Sequence, residues 1–207
     1  MRGLARRFAE QLAHPDGVAG RAIGCAMDLA NRRPTRLALE LLDAQPGERI
    51  LDAGCGTGAT LARLLNQVPV AAWGVDPSPA MRAAAQHKLA GRACVQGVPI
   101  EEMSFADDMF DAVLALNVLY FADPDGLLIS QLHRVLRPGG RLIAYVTRRA
   151  TMEKWSFARK GVHRLFESEC LVETLCSGGF ATQRIYVQEH AITRSVDGLL
   201  AIAVKEG

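Results

Sequence analysis

The sequence predicts an α/β fold in which helices cover both faces of a mostly parallel, doubly wound sheet that ends in an antiparallel hairpin. Three observations carry this expectation. From residue 49 onward, short apolar runs alternate with amphipathic segments, the order of consecutive βαβ units. A glycine-dense turn, Gly54-Cys55-Gly56-Thr57-Gly58, joins the first apolar run to the first of those helices. Near the C-terminus Ser195-Val196-Asp197-Gly198 separates two further runs, and Asp-Gly is a hairpin signal. With 207 residues, 49% of them hydrophobic, the chain can bury one sizeable core. One domain over residues 49–207, preceded by a helical extension over 1–48, is expected.

In chain order, residues 4–13 and 18–30 read as two helices separated by the His14-Pro15-Asp16-Gly17 break, and 35–42 as a third leading into the sheet. The second is rich in small residues, among them Ala19, Gly20, Ala22 and Gly24, so another part of the molecule can approach its backbone closely. Either it packs on the sheet, or with Met27 and Asn31 it roofs a site. Strands are expected at 49–53, 70–75, 92–96, 111–116, 140–147, 182–190 and 199–204, with helices between the first five. The first of these helices takes in Thr57 to Leu65. Ser78 is placed to cap the next, with Pro79 at its first position. Asp123-Pro124 opens another, whose apolar stripe runs Leu128, Leu132, Val135 and Leu136. Residues 148–165 form a second, short lid candidate.

The glycine turn carries the chemistry. Without a Cβ its glycines can take strained turn angles and let the main chain approach a ligand at a helix N-terminus. The segment satisfies the loose G-x-G-x-x-G/A pattern of dinucleotide sites. Against a dinucleotide stands Asp52, two residues before the first glycine, because a carboxylate there would face a diphosphate with like charge. It suits a cationic group instead. The D-x-G-x-G-x-G pattern of Asp52, Gly54, Gly56 and Gly58 resembles motif I of the class I S-adenosylmethionine-dependent methyltransferases. Asp76-Pro77, at the end of the second strand, is placed for ribose hydrogen bonds. The Phe110-Asp111-Ala112-Val113…Asn117 and Leu136-Arg137-Pro138-Gly139-Gly140-Arg141 segments are similar to that family at the same separations. The likeness covers roughly residues 36 to 204 and looks closest to the small methyltransferases of the ubiquinone and menaquinone biosynthesis type.

That resemblance implies a Rossmann-like seven-stranded sheet in the order 3-2-1-4-5-7-6, S-adenosylmethionine as cofactor and a small-molecule methyl acceptor. It implies a cofactor site built from Asp52, Ala53, Gly54, Cys55, Gly56, Gly58, Asp76, Pro77, Met81, Val98, Pro99 and Asn117. Asn117 and Tyr120 are the candidate catalytic residues. Where relatives commonly place an aspartate for the adenine amino group this chain has Val98, which cannot accept that bond; the main chain at Val98 and Pro99, or Glu101, takes its place.

Other features exclude more than they assign. A net charge of +2 gives no reason to expect a nucleic-acid partner, and Arg6-Arg7, Arg32-Arg33 and Arg148-Arg149 read as solvated surface. Five cysteines without a C-x-x-C pair suggest neither a disulfide framework nor a zinc site, and no metal is expected. No apolar run reaches membrane-spanning length, so no stable membrane insertion and a cytoplasmic location are expected. His87 and His133 fall on helices that pack against the sheet; His14, His163 and His190 fall nearer to where an acceptor would bind. A non-catalytic cofactor-binding or scaffolding protein and a nicotinamide-dependent oxidoreductase are the alternatives to a methyltransferase.

Overall fold

Consecutive strand residues point to opposite faces of a sheet, and here both faces are covered. In β1 (Arg49–Ala53), β4 (Phe110–Leu116) and β5 (Leu136–Thr147), the side chains of Leu51, Val113 and Leu142 enter one core and those of Ile50, Leu114 and Ile143 the other, all fully buried. The computed structural model describes residues 27–122, 125–155 and 164–207. Its other strands are β2 (Ala71–Val75), β3 (Cys94–Gln96), β6 (Ile185–Ala191) and β7 (Asp197–Val204). They form one seven-stranded sheet in the order β3-β2-β1-β4-β5-β7-β6, parallel except where β7 pairs with β5 and β6. This is the Rossmann-like arrangement with the antiparallel C-terminal hairpin.

Helices α1 (Arg32–Leu42), α2 (Ala59–Leu65) and α3 (Pro79–Leu89) cover one face through Leu39, Leu61 and Leu89. On the other face, α4 (Leu127–Val135) contributes Leu132; after the short α5 (Arg149–Met152), α6 (Ser168–Ser177) contributes Leu171 and Leu175. Ser78 caps α3 as expected, its Oγ accepting from the Met81 N–H at 3.3 Å with Pro79 behind it. Helix α1 starts at Arg32, earlier than the expected residue 35, because it continues a helical turn at residues 27–30 across Asn31. Pro34 has no N–H for the Ala30 carbonyl, which is where the helix breaks step. Arg141 then fastens α1 to the sheet: its Nε donates to the Leu42 carbonyl at 2.7 Å, and its two terminal nitrogens grip Glu48 at 2.8 Å each. That pairing holds the Glu48 carboxyl below its usual range.

Several boundaries differ from expectation. Strand β5 begins at Leu136 rather than 140, since α4 runs straight into it; Leu136 pairs with Phe110 and Arg141 with Ala112, so residues 137–140 bulge out. A Cβ on Gly140 would stand 2.8 Å from the Arg137 carbonyl oxygen. Asp197-Gly198 is not the hairpin turn. Both residues belong to β7, opposite Ala191 and His190, and the connection is the five residues 192–196. Glycine is needed at 198 because a Cβ would meet the Tyr145 ring at 2.4 Å. Residues 182–184 form a 3₁₀ turn, α2 starts at Ala59 rather than at Thr57, and α6 was not expected. The helix expected at 4–13, most of that at 18–30, the Asp123-Pro124 cap, His14, His163 and residues 156–163 of the second lid candidate lie outside the described residues.

Candidate functional site

The strand order reverses between β1 and β4, and at their carboxyl ends lies a cavity of about 420 Å³. Each strand delivers its residues by ending there. Asp52 comes from β1, Asp76 and Pro77 from the end of β2, Pro99, Ile100 and Glu101 from the turn after β3, and Asn117 and Val118 from the end of β4. Met27, Asp28 and Asn31 cover it from the N-terminal side.

The glycines of the turn serve three different purposes. Gly54 (φ 77°) lies against β4, where a Cβ would meet Val118 Cγ1 at 2.1 Å; Gly58 (φ 74°) lies under α3, where a Cβ would stand 3.1 Å from Ala85 and Leu89. Gly56 (φ 53°) lines the cavity, and a Cβ there meets no protein atom within 4 Å. The turn is pinned by its own amides: Gly54 and Cys55 both donate to the Val75 carbonyl, at 2.8 and 3.0 Å. Gly56 donates to Asp76 Oδ2 at 2.9 Å, and Asp76 Oδ1 accepts from the Ser78 N–H at 2.9 Å. Asp76 thus ties the two strand ends together before any ligand arrives. Burial raises its pKa against the pull of those two amides.

Asp52 is 2% exposed, lines the cavity, and its Oδ2 has no hydrogen-bond partner among the described residues. Burial, reinforced by the neighbouring Asp76 charge, pushes its carboxyl up to about 7. A cation beside it would reverse that penalty. Cys55 packs beneath the turn on Gly74 and Leu61, and burial followed by the charges of Asp52 and Asp76 raises its thiol pKa, the opposite of what a nucleophile requires.

At the end of β4, Asn117 takes a left-handed conformation (φ 62°), held by its N–H to the Tyr145 carbonyl at 2.9 Å. Its side chain is held twice more: Oδ1 accepts from the Tyr120 hydroxyl at 3.2 Å, and Nδ2 donates to Asn31 Oδ1 at 3.1 Å. Tyr120 does not line the cavity. Its oxygen accepts from the Thr147 N–H, so its proton is committed to Asn117, and burial raises its pKa well above the usual range. Ala53 and Val98 likewise pack into the core and Gly58 against α3, whereas Asp52, Gly54, Cys55, Gly56, Asp76, Pro77, Met81, Pro99 and Asn117 come together at the cavity.

Asp28, Thr57 and Lys88 were not singled out by sequence reasoning. Thr57 Oγ1 donates to Asp28 Oδ2 at 2.6 Å, and Lys88 Nζ reaches both, at 2.9 Å each. With the Asn31–Asn117 bond, this triangle fastens the N-terminal turn over the cavity at two points. Phe121 and Leu128 add an apolar wall. No described histidine lines the cavity: His87 is exposed, His133 stacks edge-on against Phe180 at 4.8 Å, and His190 sits on the edge strand beside Gln188. Among the described residues no cluster of three or more His, Cys, Asp or Glu is arranged for a metal, and no helix is long and apolar enough to cross a membrane.

Residues 51–144, which span β1 to β5 and the whole glycine turn, match the methyltransferase domain family. That segment is similar to methyltransferase domains, and the chain shares the methyltransferase fold. Among curated relatives, the ubiquinone/menaquinone biosynthesis C-methyltransferase UbiE of Geobacter sulfurreducens is 36% identical over 121 residues, 55% of this chain and 47% of that one. The chain therefore spans about half the length of such curated relatives. Among solved structures, the Haloferax volcanii chain in complex with the Trm112 methyltransferase activator superposes with a TM-score of 0.77 at 17% identity, over 90% of this chain and 95% of that one. A Burkholderia thailandensis 1,6-didemethyltoxoflavin-N1-methyltransferase, solved with S-adenosylhomocysteine, gives 0.72 at 22% identity over 99% and 88%.

Proposed function

We propose that the protein is an S-adenosylmethionine-dependent methyltransferase acting on a small-molecule acceptor. The observation that carries this reading is the Asp52 carboxylate, buried against the cavity with one oxygen unpartnered among the described residues. The charged residues lining the cavity among the described ones, Asp28, Asp52, Asp76 and Glu101, are all acidic, which opposes a dinucleotide's diphosphate and favours a cationic ligand. The residues present fit S-adenosylmethionine: Asp52 for its cationic amino end, the cradle at Gly56 for close backbone approach, the remaining lone pairs of Asp76 for the ribose, and Glu101 with the Pro99 main chain for the adenine. When bound, that cofactor supplies a methyl group activated on a sulfonium.

The chain's own residues then hold and enclose. Asn117, oriented by Tyr120, presents its amide to the methionine portion or the acceptor, while the turn around Met27 and Asn31 excludes water, so alignment supplies most of the acceleration. Residues 27–31 act as part of the roof in this reading, with the N-terminal extension serving the acceptor.

Calorimetry with S-adenosylmethionine, S-adenosylhomocysteine and NAD, followed by incubation with methyl-labelled cofactor and extract from the source organism, tests it. Saturable binding of the two adenosyl compounds and label transfer to a small molecule are expected. Binding of NAD alone would overturn the reading, and tight cofactor binding without any transfer would favour the non-catalytic alternative.

A further inference from the structure

Away from the cavity, on the outer side of the junction between α1 and α2, Arg32, Arg33, Arg36 and Arg63 line a second depression of about 410 Å³. Among the described residues no acidic side chain lines it. Three of these arginines lie in the first five residues of α1, with Arg32 and Arg36 a helical turn apart, a like-charge spacing that costs a helix stability unless something neutralises it. The carboxylate paired with them is Glu40, 3.5 Å from Arg36 Nε, and both of those side chains are about 60% exposed, where a salt bridge offsets little. Two of the guanidiniums are held in place by main-chain carbonyls: Arg33 donates to the Ile192 carbonyl at 3.3 Å and Arg63 to that of Arg32 at 3.2 Å. Holding them there gives up side-chain freedom in advance and leaves their other N–H groups available.

We propose that this depression is a binding site for a compact, multiply charged oxyanion, a diphosphate or phosphate ester, taken up by the four guanidinium forks. Planar N–H pairs match phosphate oxygens two at a time, and four such groups around one concavity suit a diphosphate-sized ligand better than an extended polyanion, which would need a longer basic stripe. The site is separate from the acidic cavity and shares only its flanking helices, α1 and α2, which give Pro34, Thr35, Ala59 and Thr60 to the cavity.

The test is calorimetric titration of the full chain with sodium pyrophosphate in about 0.1 M chloride, beside Arg32→Ala/Arg36→Ala, Arg63→Ala and Arg36→Lys variants whose thermal unfolding is measured in parallel. Saturable binding that falls at least tenfold in the double variant and less in Arg36→Lys is expected. Absence of saturable binding in the parent would overturn the proposal. So would binding at the parent's affinity in both the double variant and Arg63→Ala, or a protein that ignores pyrophosphate yet binds single-stranded RNA through the same arginines.

Discussion

At the scale of single residues the cavity is governed by Asp52. Its carboxyl titrates near 7 in the folded chain, against about 3.9 in an unfolded one. Between these values the folded chain keeps a proton that the unfolded chain has lost, so the stability this contributes is full below about 3.9, falls steadily as pH rises from there, and is gone once pH has passed through 7. Asp52→Asn should raise the unliganded protein's stability relative to the parent, and by clearly more at pH 8 than at pH 5, as urea denaturation at the two pH values would show. Ligand binding runs the other way. A cation needs the ionised form, so the parent's affinity for S-adenosylmethionine should increase from pH 6 to 8, while the Asn variant at pH 8 should bind about tenfold or more weakly, the loss of a charged hydrogen bond worth roughly 1.5–3 kcal/mol. A parent affinity that does not change with pH would remove Asp52 from the cation's side. Asp76 behaves differently because it already holds two protein amides. Asp76→Ala should lower both stability and affinity, and a drop in affinity alone would mean those amides find other partners.

At the scale of elements, the turn between β1 and α2 separates folding from binding residue by residue. Gly56→Ala places a methyl group in the cavity at a left-handed φ, a cost of about 1–2 kcal/mol, with no clash in the protein. Gly54→Ala adds the collision with Val118 to the same backbone strain. The first variant should fold and bind cofactor poorly; the second should lose several degrees of melting temperature as well, and identical melting curves would mean that Val118 yields. The positions of Asp52, Gly56, Asp76 and Asn117 around one cavity were legible in the sequence because each lies at, or within a few residues of, the end of a strand whose apolar run is continuous. What was hidden depends on contacts distant in the chain. Thr57 meets Asp28 across 29 residues and Lys88 across 31, and no local spacing encodes either. Asp197-Gly198 misled for the same reason: its glycine answers to Tyr145 on the neighbouring strand, not to a turn. Tyr120 looked like a candidate for chemistry, yet its hydroxyl is consumed by Thr147 and Asn117. The four-residue bulge at 137–140 was visible as Pro-Gly-Gly and was read as the approach to a strand rather than as part of it.

For the whole molecule, the question is how the N-terminal turn is coupled to the cavity it covers. Two polar contacts join them: Asp28 with Thr57 and Lys88 on one side, Asn31 with Asn117 on the other. The Lys88 and Asp28 side chains remain 37% and 30% exposed, so their ion pair adds about 0–1 kcal/mol to global stability. The fold rests instead on the two cores and on the grip of Arg141 on Glu48. Cutting the latches should therefore be felt in the exchange of ligand more than in unfolding. Asp28→Ala and Asn31→Ala should each speed dissociation of S-adenosylhomocysteine several-fold, and together by about tenfold or more, since two lost hydrogen bonds of about 1 kcal/mol each act on the same opening step. The melting temperature should move by only a few degrees. Stopped-flow dissociation beside thermal melts of the single and double variants decides the matter. If dissociation stays at the parent rate while the melting temperature falls, these contacts only seat α1 on the sheet. If dissociation accelerates in Asn31→Ala but not in Asp28→Ala, the turn opens about the Asp28 corner and Asn117 alone senses the ligand.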